Sequence, residues 1–116
     1  MKKKNRLLKN QDFKAVLDKH WCVSRENLKI FYKSNELGSA RVGISVSSKL
    51  GNSVVRHRIK RQVVSMMDQT LNYDFPLDLV IIVKNKYLEN TYAQNLDTIT
   101  EGIKYILKKG AKTNEK

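Results

Sequence analysis

The spacing of apolar positions divides the chain into helical and extended stretches. After Asn10, a good N-cap residue, Phe13, Val16 and Leu17 fall at i, i+3 and i+4, which puts one apolar stripe on a short helix ending near Lys19. Over residues 27–34 the period becomes two: Leu28, Ile30 and Tyr32 share one face of a strand, and Lys29, Phe31 and Lys33 share the other. The sequence NELGS at 35–39 has the composition of a hairpin turn. In the returning strand, 41–47, Val42, Ile44 and Val46 alternate with Gly43 and Ser45, and a further short strand fits 45–49.

A Gly-Asn turn at Gly51 and Asn52 opens the next helix, with Asn52 or Ser53 as its cap. At 100° per residue, Val55, Ile59, Val63, Met66 and Met67 occupy one arc of roughly 120°. His57, Arg58, Lys60 and Arg61 occupy the opposite arc, with Arg56 at the border, and Val64 falls among these polar positions as the exception. Residues 72–76 form a connector, and Asp74 and Asp78 flank the proline that ends it. LVIIV at 79–83 is apolar on both faces, as in an interior strand covered on both sides. Thr91 and Gln94 make a capping box before a last helix carrying Tyr92, Leu96, Ile99, Ile103, Ile106 and Leu107, which Gly110 is expected to stop. The order is α-β-β-(β)-α-β-α, an α+β class with a small mixed sheet packed with helices. One domain spans 1–116, with a basic arm over 1–9 expected to be mobile and a frayed tail over 110–116.

Charge changes the picture more than composition does. The net charge of +12 and pI near 9.9 concern partners rather than fold, and favour nucleic acid or an anionic surface. No apolar run reaches the roughly 20 residues that span a bilayer, and MKKKNRLLKN lacks the apolar core of a signal peptide, so a cytoplasmic location is expected and no membrane partner. The single Cys22 has no disulfide partner, and with His20 it supplies only two metal ligands, so no protein-bound metal is expected. The carboxylates are scattered rather than paired, and no serine sits in a nucleophile elbow, so no catalytic residue is assigned to this chain.

The strongest signal is KLGNSVVRHRIKR at 49–61, inside a stretch from Leu37 to Met67 that contains no Asp or Glu. Without acids to form i,i+4 pairs, these cations are not a self-neutralised helix surface, and the helix start adds backbone N–H groups that can hold a phosphate. Phe13 and Phe31 suggest a second surface: a groove rimmed by Lys29 and Lys33, suited to single-stranded RNA. The competing reading is that Phe13, Val16 and Leu17 merely anchor the first helix. The strands around the basic helix argue against a helix-turn-helix DNA binder, and no DNA partner is expected.

The basic NRL at 5–7, DF at 12–13, RVGISVS at 41–47 and KLGNSVVRHRIKR together resemble the bacterial ribonuclease P protein subunit. The resemblance implies a protein that assists a catalytic RNA in removing the 5′ leader of precursor tRNA, the RNA and its bound Mg²⁺ doing the chemistry. It implies that Lys49, Asn52, Arg56, His57, Arg58, Lys60 and Arg61 face the catalytic RNA, and that Phe13, Leu17, Lys29, Phe31 and Lys33 line the leader cleft. It also implies a fold similar to one ribosomal protein domain, with a left-handed crossover between parallel strands. A general basic RNA-binding or ribosome-associated module is the alternative. Three positions depart from the family pattern: His57 replaces an asparagine, Val64 an arginine, and Leu17 an aromatic ring common among relatives. An imidazole hydrogen-bonds as an amide does but gains a charge on acidification, and the lost arginine is expected to make the salt dependence shallower by about one unit.

Overall fold

A strand that is apolar on both faces needs neighbours on both sides and cover on both faces, and β4 (Leu77–Val83) has them. A computed structural model of the protein describes residues 1–70 and 72–113. Its other elements are α1 (Asn10–Lys19), β1 (Cys22–Ser24), β2 (Leu28–Ser34), β3 (Arg41–Val46), α2 (Ser53–Thr70), a short α3 (Lys86–Glu89) and α4 (Tyr92–Thr113). The sheet order is β1-β2-β4-β3, with β4 antiparallel to β2 and parallel to β3. This is the expected α+β class with a mixed sheet.

The sheet carries two unequal cores. On one face, Leu28, Ile30, Tyr32, Leu79 and Ile81 meet Ile59, Val63, Met66 and Met67 of α2 and Ile99, Ile103 and Ile106 of α4, all buried. These are the apolar arcs that the periodicity selects. On the other face a smaller cluster of Leu7, Val16 and Val80 is flanked by half-buried Phe13, Leu17, Phe31 and Ile82. The capping box forms as read, the Gln94 amide N–H donating to Thr91 Oγ1 at 3.1 Å and the Thr91 N–H to Gln94 Oε1 at 2.8 Å.

Five local expectations are overturned. The stretch after β2 is not a hairpin turn, because β4 lies between β2 and β3; alternation reports which face a residue takes, not which strand it pairs with. The extra strand is Cys22–Ser24, paired with β2 through buried Val23, whereas Ser48–Leu50 is a 3₁₀ turn closed by the Lys49 N–H on Ser47 Oγ. Asn10 caps nothing: it is the first helical residue, and Lys9 precedes it without a side-chain cap bond. Asp78 belongs to β4 rather than to the connector. Gly110 does not stop α4, which runs on to Thr113, since one glycine costs a helix interior only about 1 kcal/mol; the rest of the tail lies outside the described residues.

The N-terminal segment, expected to be a mobile arm, lies against the body. Buried Asn5 donates its side-chain amide to the Ala40 carbonyl at 2.8 Å, the Leu7 N–H donates to the Val42 carbonyl at 3.0 Å, and Leu7 is buried beneath α1. The Met1 ammonium lies 2.8 Å from Asp68 of α2. Hydropathy shows only Leu7 and Leu8 in this segment and misses the buried amide.

Candidate nucleic-acid interface

Sequence places two surfaces on this fold, and each is built by a different local device. The first begins where β3 runs into α2. Gly51 has φ +146°, and a side chain there would press on Val55 at 2.9 Å, so only glycine allows the chain to turn so tightly into the helix. Asn52 Oδ1 accepts the Val55 N–H at 3.0 Å, capping α2, so one of the N–H groups expected to be free for phosphate is taken. Leu50 is buried and anchors the turn, leaving Lys49 and Asn52 exposed.

Along α2, His57, Arg58, Lys60 and Arg61 are exposed and Arg56 is half-buried, its Nε enclosed and without a hydrogen-bond partner among the described residues. None of these cations has a carboxylate partner among the described residues, whereas Lys14, Arg25, Arg41 and Lys86 each do. At the side of this face, Tyr92 of α4, Gln62 and Ser65 border Arg58 and Arg61. Tyr87 donates its O–H to Gln62 at 2.9 Å; burial foremost, with Tyr92 adding and Arg58 opposing, pushes its phenol up to about 12.

The second surface is the sheet face beneath α1. Register sets Phe31, Val80 and Gly43 in one row, with Cys22 beside Phe31 on the edge strand, and Lys29, Ile82 and Ser45 in the next. Lys29 Nζ lies 5.2 Å from the Phe31 ring centre, and Lys33 stands two residues beyond Phe31 on the same side. Val16 is fully buried, so α1 is anchored to the sheet, while Phe13, Leu17 and Phe31 keep part of their surface in the open. Val16 thus anchors the helix, and the partly open rings leave this face accessible from solvent.

Phe13 lies directly on Gly43, where any Cβ would collide with its ring. Gly43→Ala is expected to push the ring outward, cost roughly 1–3 kcal/mol as an overpacking change, and shift the Phe13 environment in near-ultraviolet circular dichroism. A variant of unchanged stability and spectrum would contradict this contact.

A half-buried ionic clamp centred on buried Asp78 fixes α1 over the sheet. Arg41 donates Nε to Asp78 Oδ1 at 2.9 Å and Nη2 to Asp78 Oδ2 at 2.6 Å, and reaches Asp12 of α1 with Nη1 at 3.3 Å. Asn35 adds its amide to Asp78 at 2.8 Å. The hydrogen bonds to Asp78 dominate over desolvation and hold the Arg41 guanidinium above its ordinary pKa. Sequence reasoning passed over this clamp because it draws its members from two strands, a turn and a helix.

The two surfaces meet at a groove of about 790 Å³ between the N-terminal segment, β3 and α2. Phe13 and Gly43 line one part of it, and His57, Lys60 and Arg61 another. Sequence reading missed this junction, although Val64, the misfit on the polar arc, lines it. At its end Asp68 is raised by desolvation but lowered more by the N-terminal ammonium and the Tyr73 hydroxyl, leaving it below the usual carboxylate range. Among the described residues no three His, Cys, Asp or Glu side chains gather as a metal site, and no helix is long and apolar enough to cross a membrane.

The ribonuclease P family model matches residues 1–107. The ribonuclease P protein component of Mesoplasma florum is 34% identical over 110 residues, covering 93% of this chain and 100% of its own length. That of Clostridium novyi is 38% identical over 107 residues, covering 90% and 95%. A solved structure of a Staphylococcus aureus RNase P protein mutant matches with a TM-score of 0.81 at 28% identity, covering 89% of this chain and 88% of its own. The RNase P protein of Thermotoga maritima, at 21% identity, TM-score 0.69 and coverage of 90% and 96%, shares the fold. A family match across nearly the whole length, relatives above 30% identity and the same architecture lead to one conclusion: the chain belongs to the ribonuclease P protein component family.

Proposed function

We propose that this chain holds two RNAs at once, the catalytic RNA on the α2 face and the 5′ leader of precursor tRNA on the α1 face of the sheet. The observation that carries this reading is the α2 face itself, where exposed cations stand without carboxylate partners among the described residues. Lys49, Asn52, Arg56, His57, Arg58, Lys60 and Arg61 position the catalytic RNA. Phe13, Leu17 and Phe31 stack or pack against leader bases, with Lys29 and Lys33 neutralising its phosphates. The RNA subunit carries the catalysis. Mg²⁺ bound by that RNA and the substrate supplies the activated water and charge stabilisation; this chain's residues bind, orient and screen phosphate charge.

Reconstitution tests the reading. The protein alone should cleave no precursor tRNA, and adding it to cognate catalytic RNA at low Mg²⁺ should restore correct 5′ processing. No stimulation across a Mg²⁺ titration would refute it. The single cysteine provides a site-specific check, because exposed Cys22 neighbours Phe31 in register. In the reconstituted complex, precursor tRNA with a leader should slow alkylation of Cys22 several-fold relative to mature tRNA. Equal rates would remove the leader from this face.

A further inference from the structure

Among the apolar residues that neither RNA surface explains are Leu8, 64% exposed, and half-buried Val64, set among the cations of α2. Both line the groove at which the surfaces meet, one from the N-terminal segment and one from α2, and Phe13 and Ile44 line it as well. Lone exposed apolar side chains are ordinary, but several around one recess form a lined wall.

The groove also borders an open strand edge. β3 is the last strand of the sheet, and among the described residues its outer side is paired only by the bridge from Arg6 to Val42. The Val42 carbonyl accepts the Leu7 N–H there, so the Val42 peptide groups point outward. Strand alternation sends the N–H and C=O of Ile44 outward as well, two residues past that bridge. A donor and an acceptor side by side match the Watson–Crick edge of a nucleobase.

Around the rim stand Arg6, His57, Lys60 and Arg61. The one carboxylate in the lining, Asp68, is occupied by the Met1 ammonium at 2.8 Å and by the Tyr73 hydroxyl at 2.7 Å. A peptide strand could also add to an open edge, but this rim selects a ligand that carries phosphates. The volume of about 790 Å³ lies in the range of roughly 300–1,000 Å³ typical of small-ligand clefts.

We propose that this groove is a slot for one unstacked nucleotide of a bound RNA, its base against the Ile44 edge between Leu8 and Val64 and its phosphates on Lys60, Arg61 and Arg6. The inference rests on the RNA-binding reading above. The nucleotide can come from the catalytic RNA or from precursor tRNA, and the chemistry of the slot is the same for both.

Val64→Gln and Leu8→Gln remove the apolar walls without changing charge, and their affinities for catalytic RNA and for precursor tRNA are measured separately over a salt series. Each variant should bind one of the two RNAs about ten-fold more weakly with an unaltered salt slope, and the RNA affected identifies the source. In that RNA, one base shielded from dimethyl sulfate by the wild-type protein should become reactive in the variants. A readout free of substitutions is the Ile44 amide, whose hydrogen exchange should slow on saturation with the same RNA. Variants that bind both RNAs within about two-fold of wild type, or an Ile44 amide that exchanges equally fast in the complex, would overturn the slot while leaving the wider RNA-binding reading standing. A wild-type protein that binds neither RNA would overturn both.

Discussion

Asp78→Ala is expected to cost about 3–5 kcal/mol, a large share of the roughly 5–15 kcal/mol typical of a domain's total stability. Asp78 sits in the central strand with only 5% of its side chain exposed, and it accepts two hydrogen bonds from Arg41 and one from Asn35. Removing it strands a guanidinium that is itself only 23% exposed, with Asp12 at 3.3 Å as its one remaining carboxylate. The urea midpoint should fall with little change in slope. Asp78→Leu combined with Arg41→Met should recover much of the loss, because the penalty comes from the unpaired charge rather than from any large net gain of the pair. A loss below about 1 kcal/mol in the single variant would mean that the Arg41–Asp78 pair contributes little to holding the fold.

This clamp also shows where sequence reasoning stops. The apolar arcs of α2 and α4 and the alternating face of β2 were readable, because burial of one face is written into a period of 3.6 or 2. The assignment of LVIIV to the interior was readable for the same reason: a strand apolar on both faces needs cover on both, which an interior position between helix layers supplies. Pairing was not readable. Residues 28–34 and 41–46 look like a hairpin because they are consecutive, and β4 enters between them only because its two-sided apolarity outcompetes local closure. The Asp78 carboxylate beside a proline looked like part of a connector until its partners arrived from Arg41, Asp12 and Asn35.

The candidate site divides along the same line. The cations of α2 were legible because they belong to one helix and lack acids in sequence as well as in space. The contacts of the N-terminal segment were not legible, since they depend on a buried asparagine amide and a single bridge to an edge strand. Once that segment is placed, Val64 is no longer a blemish on a basic helix; it is the wall of a groove whose other side the segment provides. Neither half carries a periodic signal, so the groove appears only in three dimensions.

Replacing Arg58, Lys60 and Arg61 together by glutamine should have the largest effect on function. Each exposed cation that neutralises one phosphate contributes about 0.9 to the salt slope on a duplex and about 0.7 on a single strand, so the triple variant should lose roughly two to three units of slope. Affinity for the catalytic RNA should fall about a hundred-fold or more at moderate salt, since a hydrogen bond to a charged group is worth about 1.5–3 kcal/mol. Folding should change little, because these side chains are exposed, lie opposite buried Ile59 and Val63, and have no carboxylate partner among the described residues to strand. The control is Lys14→Gln with Lys86→Gln, which removes cations already paired with Asp18 at 2.9 Å and Glu89 at 3.5 Å. That control should leave the slope nearly unchanged, because a cation held by a carboxylate offers less to a phosphate. If both variants reduce the slope in proportion to the charge removed, RNA responds to the net charge of the protein and not to the α2 face. If the triple variant instead loses several degrees of melting temperature with an unchanged slope, the face is structural, and the catalytic RNA must dock elsewhere.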